Sequence, residues 1–312
     1  MMRDDARLED LGPGLFAYLQ PDGSWGLSNA GLVCDGEESL LVDTLYDLPL
    51  TQRMLDEMTS AAPAARKIDT LVNTHANGDH CYGNELVGDA RIISSTASAE
   101  EMNAVPPTIM AAFLKGADDL GEVGQFLRQA FGEFEFDGIQ FTPPTETFDG
   151  QLDLQVGDRT VELIEVGPAH TRGDVIIHVP DAHAVFTGDI LFIDGTPIMW
   201  EGPVANWIDA CEKIIALEPE IIVPGHGPLT DIKGVLAVRD YLAYVRDEAR
   251  IRFDAGLSAR EAALDIKLAD YSAWLDSERI AVNVLTLYRE FGDLAPPPGP
   301  IEMFELMAEL AR

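Results

Sequence analysis

Cysteine is scarce in this chain and basic residues are heavily outnumbered. Cys34, Cys81 and Cys211 are a sparse, odd set that supplies no disulfide framework. Lysine and arginine total 21 against 54 aspartates and glutamates, a formal net charge of −33. So acidic a surface repels nucleic acid and anionic membranes, and neither is expected as a partner. It also disfavours a polyanionic substrate unless cations reverse the field locally. No apolar run approaches the roughly 18 residues of a membrane span. The charged opening Met1-Met2-Arg3-Asp4-Asp5-Ala6-Arg7 leads into no apolar segment of the signal-peptide kind. The expectation is a cytoplasmic enzyme in a reducing compartment. With 46% hydrophobic and 24% charged residues over 312 positions, the chain has the length and profile of a folded protein with a large core.

Hydrophobic patterning divides the chain. Gly14–Leu19, Ala30–Cys34 and Ser39–Asp43 read as strands, the last two as a hairpin around Asp35-Gly36-Glu37-Glu38. A helix follows over residues 49–62, stopped near Pro63, then a strand at Ile68–Val72 and another at Arg91–Ile93. Residues 96–136 carry apolar side chains at helical spacing and read as an insertion of two or three short helices. Gln151–Val156 alternates with period two and pairs with Thr160–Val166 across Gly157-Asp158. Strands at Asp174–Val179 and His183–Thr187, a helix at Asn206–Leu217 and a strand at Glu220–Val223 complete the α/β part.

Residues 231–312 read as a helical extension. Val235, Val238, Leu242, Val245 and Ala249 form one stripe, Ser258 and Glu261 a capping box, and Ala281–Phe291 a further helix. Pro296–Pro300 is a stiff linker into a last amphipathic helix whose apolar face suits either its own core or a second subunit, so a homodimer is one expectation. No internal repeat is present.

One stretch organises the rest: Leu71-Val72-Asn73-Thr74-His75-Ala76-Asn77-Gly78-Asp79-His80. A strand runs into a loop bearing two histidines and an aspartate, followed by a helix-like segment from Cys81 towards Leu86. Side chains there are held by a rigid element yet open to a substrate. His170, in Gly167-Pro168-Ala169-His170-Thr171, Asp189, in Phe186-Thr187-Gly188-Asp189, and His226, in Pro224-Gly225-His226-Gly227-Pro228, share this context beside glycines at strand ends. Histidine with carboxylate is the ligand chemistry of zinc, iron and manganese.

These motifs resemble the metallo-β-lactamase superfamily, whose signature is H-x-H-x-D-H followed by separate His, Asp and His. The flanks fit as well: G-x-x-H-T-x-G-D over Gly167–Asp174, T-G-D at Thr187–Asp189 and P-G-H-G-P at Pro224–Pro228. The resemblance covers roughly residues 10–230. It implies a four-layer αββα sandwich with metals at one edge, a catalytic domain over 1–230, and Asp43 in support of the site. It assigns one metal to His75, position 77 and His170, another to Asp79, His80 and His226, and makes Asp189 the bridge. Zn²⁺, as one or two ions, is the expected cofactor, with Fe²⁺ or Mn²⁺ as alternatives. Asp79 would orient the attacking water or protonate the leaving group.

Position 77 departs from the pattern, because Asn77 stands where the family usually has histidine. An amide oxygen is a harder, weaker ligand than imidazole. Three arrangements stay open: two metals with Asn77 as a weak ligand; one metal at Asp79, His80, Asp189 and His226; or one at His75, His170 and Asp189, the 2-His-1-carboxylate set of non-haem iron enzymes. The leading expectation is a hydrolase of a small apolar or aromatic ester, thioester or lactone; the alternatives are an iron dioxygenase and a binding module with a crippled site. Tyr82, Trp200 and Trp25 are candidate pocket walls, and residues 96–136 a candidate lid. Cys81, His178 and His183 read as structural.

Overall fold

The computed structural model describes residues 5–296 and 298–312. Residues 1–4, which open the charged N-terminus, and Pro297, inside the proline-rich linker, lie outside the described residues. A seven-stranded sheet runs in sequence order: β1 (Arg7–Gly12), β2 (Leu15–Leu19), β3 (Ala30–Asp35), β4 (Glu38–Val42), β5 (Thr70–Val72), β6 (Arg91–Ser95) and β7 (Glu146–Phe148). Neighbours pair antiparallel from β1 to β4 and parallel from β4 to β7. A five-stranded sheet faces it in the order β12 (Ile221–Val223), β11 (Ala184–Phe186), β10 (Val175–Val179), β9 (Arg159–Glu165), β8 (Gln151–Val156). There β11 and β12 pair parallel, and the other neighbours pair antiparallel.

Alternation along each strand builds the layers. Leu40 and Val42 of β4 point between the sheets, against Val161, Leu163, Val175 and Ile177. Leu41 points the other way, with Leu71 and Ile92, into a helical layer. Ile176 and Val185 leave the second sheet on its far side and meet Trp207, Val238 and Leu242. Central strands are covered on both faces, which is why they read as nearly unbroken apolar runs.

On the first sheet lie α1 (Leu48–Ala61), the single-turn α2 (Gly78–Cys81), and the insertion helices α3 (Thr96–Met102), α4 (Pro107–Gly116) and α5 (Gly121–Phe131). Asp47 starts α1 by accepting the Leu50 N–H at 2.9 Å. On the second sheet lie α6 (Val204–Ala216), α7 (Ile232–Asp254), α8 (Ala259–Asp265), α9 (Ile280–Glu290) and α10 (Pro300–Leu310). The expected stripe of α7 is buried along its whole length. Ser258 and Glu261 form the capping box of α8.

The last helix is bound within its own chain. Leu306, Met307 and Ala308 of α10 are buried, and Phe304 meets Phe113, Phe126 and Phe131 of the insertion at 6.3, 6.2 and 6.4 Å between ring centroids. So α10 links the insertion to the C-terminal helices. The apolar side chains of α5, including Val123, Leu127 and Phe131, likewise face the core. Among the described residues, no helix is long and apolar enough to cross a membrane.

Candidate metal centre

The two sheets are tied together at one edge, and the site is built on those ties. Beyond the strand ends the ladder continues into the loops: Asp43 N–H bonds Val72 O at 2.9 Å, Thr187 N–H bonds Val223 O at 2.9 Å, and Gly225 N–H bonds Gly188 O at 2.8 Å. Val175 N–H reaches across to Thr74 O at 2.8 Å. These bonds fix Asp43, His75, His80, His170, Asp189 and His226 relative to one another before any ligand arrives. Gly225 is required by close approach, since a Cβ there would lie 2.0 Å from Asp189 Oδ1. Asp43 sits at φ 61°, a left-handed conformation that non-glycine residues rarely adopt, and it is fully enclosed.

Asp189 is the hub. Its Oδ2 lies 3.6 Å from His75 Nε2, 3.3 Å from His170 Nε2 and 3.4 Å from His226 Nε2, and its Oδ1 lies 3.1 Å from His80 Nε2. Asp79 Oδ2 lies 3.3 Å from His226 Nε2 and 4.0 Å from His80 Nε2. Ligand atoms about 2.0–2.1 Å from a tetrahedral cation are roughly 3.3 Å apart. The spacing therefore suits a coordination shell. His75 Nε2, His80 Nε2 and Asp189 Oδ1 are buried and, although they face one another, make no well-aligned hydrogen bond among the described residues. Buried polar atoms are normally paired, so these atoms point to a cation as their partner.

The far side of each ring fixes its tautomer. His80 Nδ1 is 2.8 Å from Asp43 Oδ2, His170 Nδ1 is 2.6 Å from Ile198 O, and His226 Nδ1 is 3.0 Å from Gly23 O. Those partners only accept, so each Nδ1 donates. Thr74 Oγ1 gives its hydrogen to Asp43 at 2.7 Å and so accepts from His75 Nδ1 at 2.9 Å. Every Nε2 is thereby left as the inward, metal-facing nitrogen.

Electrostatics separate the rings into two pairs. Burial lowers His75 well below the usual imidazole value and takes His170 down to about 4, Asp189 opposing in both cases. Burial also pulls on His80 and His226, but the carboxylates overcome it. Asp189, Asp43 and Asp79 push His80 well up, and Asp189 with Asp79 raises His226 to about 9. Protons there stand in for cations. Burial works to raise Asp189 and Asp79 as well, yet the surrounding imidazoles hold both below the usual carboxylate range.

Asn77 lies beside this set, its Nδ2 3.1 Å from His170 Nε2. Asn77 and Gly78 are half-buried, and the Asp79 side chain is 13% exposed while those of His80 and His170 are fully covered. The centre therefore opens to solvent over residues 77–79.

The structure brings His75, Asn77, Asp79, His80, His170, Asp189 and His226 together. Tyr82 sits nearby but is buried and donates its hydroxyl to Val105 O at 2.8 Å. Trp200 is half-buried, and its backbone N–H bonds His170 O at 3.0 Å. Cys81 is buried, facing Ala76 O at 3.7 Å. His178 pairs with Glu162 at 2.9 Å on the sheet, away from the centre. Sequence reasoning missed Phe192, whose ring stacks on His226 at 4.9 Å and 7°, and Tyr46, which stacks on Tyr82 at 5.6 Å. Only the clustering of Tyr46 just after Asp43 hinted at the latter.

Residues 23–226 match the metallo-β-lactamase superfamily. The chain is similar to acyl-coenzyme A thioesterase MBLAC2 of Homo sapiens, 26% identical over 232 residues that span 70% of this chain and 80% of that protein. It is similar to hydroxyacylglutathione hydrolase of Brucella ovis, 27% identical over 192 residues covering 61% of this chain and 58% of that protein. Its fold is like that of the stereoselective inverting sec-alkylsulfatase Pisa1 from Pseudomonas sp., with a TM-score of 0.70 at 16% identity over 96% of this chain. The chain spans little more than half of the Brucella hydrolase and of the sulfatase, 58% and 53%. The match over residues 23–226 takes in every one of the converging histidines and aspartates, and the chain belongs to the metallo-β-lactamase superfamily.

Proposed function

We propose that this protein is a metal-dependent hydrolase of small thioesters, with related esters and lactones as neighbouring substrates, acting in the cytoplasm. The carrying observation is the approach of His75, His80, His170 and His226 to one carboxylate, Asp189. Two relatives named for thioester hydrolysis, a thioesterase and a hydroxyacylglutathione hydrolase, favour that acyl class. The free state of all three cysteines fits a reducing compartment.

His75, Asn77, His170 and Asp189 would hold one divalent cation, and Asp79, His80, His226 and Asp189 another, with zinc first and iron or manganese as alternatives. Bound there, such ions supply an acidified water and polarise the scissile carbonyl. The remaining work falls to the chain. Asp43 locks His80 and, through Thr74, His75, so that neither ring rotates during turnover. Asp79, held ionised and more exposed than Asp189, accepts a hydrogen from water and aims it at a substrate arriving over Asn77 and Gly78. Asp189 keeps its charge between the rings.

The test is hydrolysis of a panel of acyl-coenzyme A and other thioesters, esters and lactones by protein loaded separately with Zn²⁺, Mn²⁺ and Fe²⁺. Turnover of a thioester that His80→Ala abolishes is the expected result. Absence of turnover with every metal, or a His80→Ala variant as active as the parent, overturns the reading. Oxygen uptake by the Fe²⁺ form without hydrolysis would assign the centre to the 2-His-1-carboxylate set instead.

A further inference from the structure

The two halves of the centre are not equivalent, and Asn77 is the reason. Around Asp79, His80 and His226 no side-chain amide of the described residues bonds an inward nitrogen: His80 Nε2 faces the carboxylates of Asp189 and Asp79 at 3.1 and 4.0 Å, and His226 Nε2 those of Asp79 and Asp189 at 3.3 and 3.4 Å. The other half differs. His170 donates from Nδ1 to Ile198 O at 2.6 Å, so its Nε2 carries a lone pair, and Asn77 Nδ2 lies 3.1 Å from that atom. The amide N–H donates to the electrons a cation would need. His75 Nε2 makes no hydrogen bond there and Asp189 faces both rings, but one imidazole of the usual pattern is missing and that of His170 is engaged.

Resting on the metallohydrolase reading, we infer that the centre holds one cation tightly, at Asp79, His80, His226 and Asp189, and a second weakly, at His75, His170, Asp189 and Asn77, with the Asn77 amide as the gate of the weak site. Opening that site to a cation would break the Asn77–His170 hydrogen bond and turn the Asn77 amide over. A half-turn about its terminal torsion exchanges Nδ2 for Oδ1, placing an oxygen 3.1 Å from His170 Nε2, within the spacing of neighbouring ligands. The weak site then has two nitrogens and two oxygens, a harder set than three imidazoles and a carboxylate. The cost of the broken hydrogen bond and the weaker donor separates the two affinities by at least the roughly 10–100-fold typical of losing a ligand's supporting partner.

The experiment uses the full chain, stripped with a chelator and titrated with Zn²⁺ by calorimetry and with Co²⁺ by visible absorption, with metal content measured after dialysis. Wild type is expected to keep one equivalent through dialysis and to bind a second at least tenfold more weakly. Asn77→His should keep two. Asn77→Ala should keep one, while His226→Ala should lose the tight equivalent. Two equally tight equivalents in the wild type, or an Asn77→His protein indistinguishable from it, overturns the inference. Absence of any bound metal from wild type and Asn77→His alike overturns the metallohydrolase reading with it. One retained equivalent in a protein that hydrolyses nothing would leave the inequivalence standing and remove only the proposed reaction.

Discussion

Trp25 donates its indole N–H to Glu278 Oε1 at 2.8 Å, joining the loop beside the metal centre to the C-terminal helices across 253 positions of sequence. That loop also supplies Gly23 O, the acceptor that orients His226. Arg279, next to Glu278, lies 4.3 Å over the Trp25 ring and 5.3 Å over Phe192, which in turn stacks on His226. The extension therefore braces a metal-facing ring from two sides. Glu278→Ala should cost about 1 kcal/mol by removing the acceptor of a half-buried indole donor, while Glu278→Gln keeps an acceptor and most of the stability. Urea unfolding of both variants checks this. Equal midpoints for the two would show that the bond is dispensable.

Asp43 accepts from His80 Nδ1, Thr74 N–H and Thr74 Oγ1 at once. Asp43→Ala should weaken metal binding by roughly 10–100-fold, the usual effect of removing a partner that orients a ligand. Asn also tolerates the left-handed backbone at this position. Asp43→Asn should thus fold better than Asp43→Ala yet still bind metal less tightly than the parent. Competition with a chromophoric chelator measures the ratio. Unchanged affinity in both variants would remove Asp43 from the site.

The converging histidines and aspartates were legible because they cluster in loops rich in glycine and aspartate just beyond apolar runs. Sheet cores were legible for the same reason: Leu40, Leu41 and Val42 leave no ambiguity about burial. β1 was not, since Arg7–Gly12 is a polar edge strand with no fully buried residue and no alternation to read. The braces of the site were hidden for a different reason. Phe192, Gly23 and Arg279 act across long sequence separations, and a guanidinium enclosed by two aromatic rings leaves no periodic trace. Asn77 could be read as a departure, but its engagement with His170 depends on the angle of a single amide.

Asp174 is enclosed, and burial pushes its carboxyl up to about 7 although Thr171 donates to it from N–H and hydroxyl. The folded state therefore holds this proton to higher pH than the unfolded state, whose value is 3.8. The stabilisation is fully present below pH 4 and is lost as pH rises through about 7, by roughly 4 kcal/mol at most at about 1.36 kcal/mol per unit. Asp174→Asn lacks this dependence. Urea midpoints of metal-free protein should fall between pH 5 and pH 8 more steeply for wild type than for Asp174→Asn. Parallel pH curves would contradict the assignment.

Self-repulsion from the net charge of −33 destabilises the compact state and is screened by salt. Raising ionic strength from about 0.01 M to about 0.5 M shortens the screening length from about 30 Å to a few ångströms. The melting temperature of chelator-treated protein should rise by roughly 2–5 °C, equivalent to one or two kcal/mol for a chain of this size class. Differential scanning fluorimetry across a sodium chloride series reads this directly. A flat or falling series would mean that the surface ion pairs, such as Arg91–Glu146 and Arg239–Glu212, already offset the repulsion.

Gly225 offers the sharpest steric test of the hub. A methyl group there would lie 2.0 Å from Asp189 Oδ1 and 2.6 Å from Gly188 C, and neither the central carboxylate nor the backbone can yield without moving the cluster. Gly195, by contrast, has open space where its Cβ would go. Gly225→Ala should therefore stay folded by circular dichroism but lose on the order of a hundredfold in turnover, as a displacement near 1 Å does, and it should retain less metal after dialysis. Gly195→Ala should match the parent in both measurements. Normal metal retention by Gly225→Ala would mean that Asp189 is not held where its contacts with the four imidazoles require.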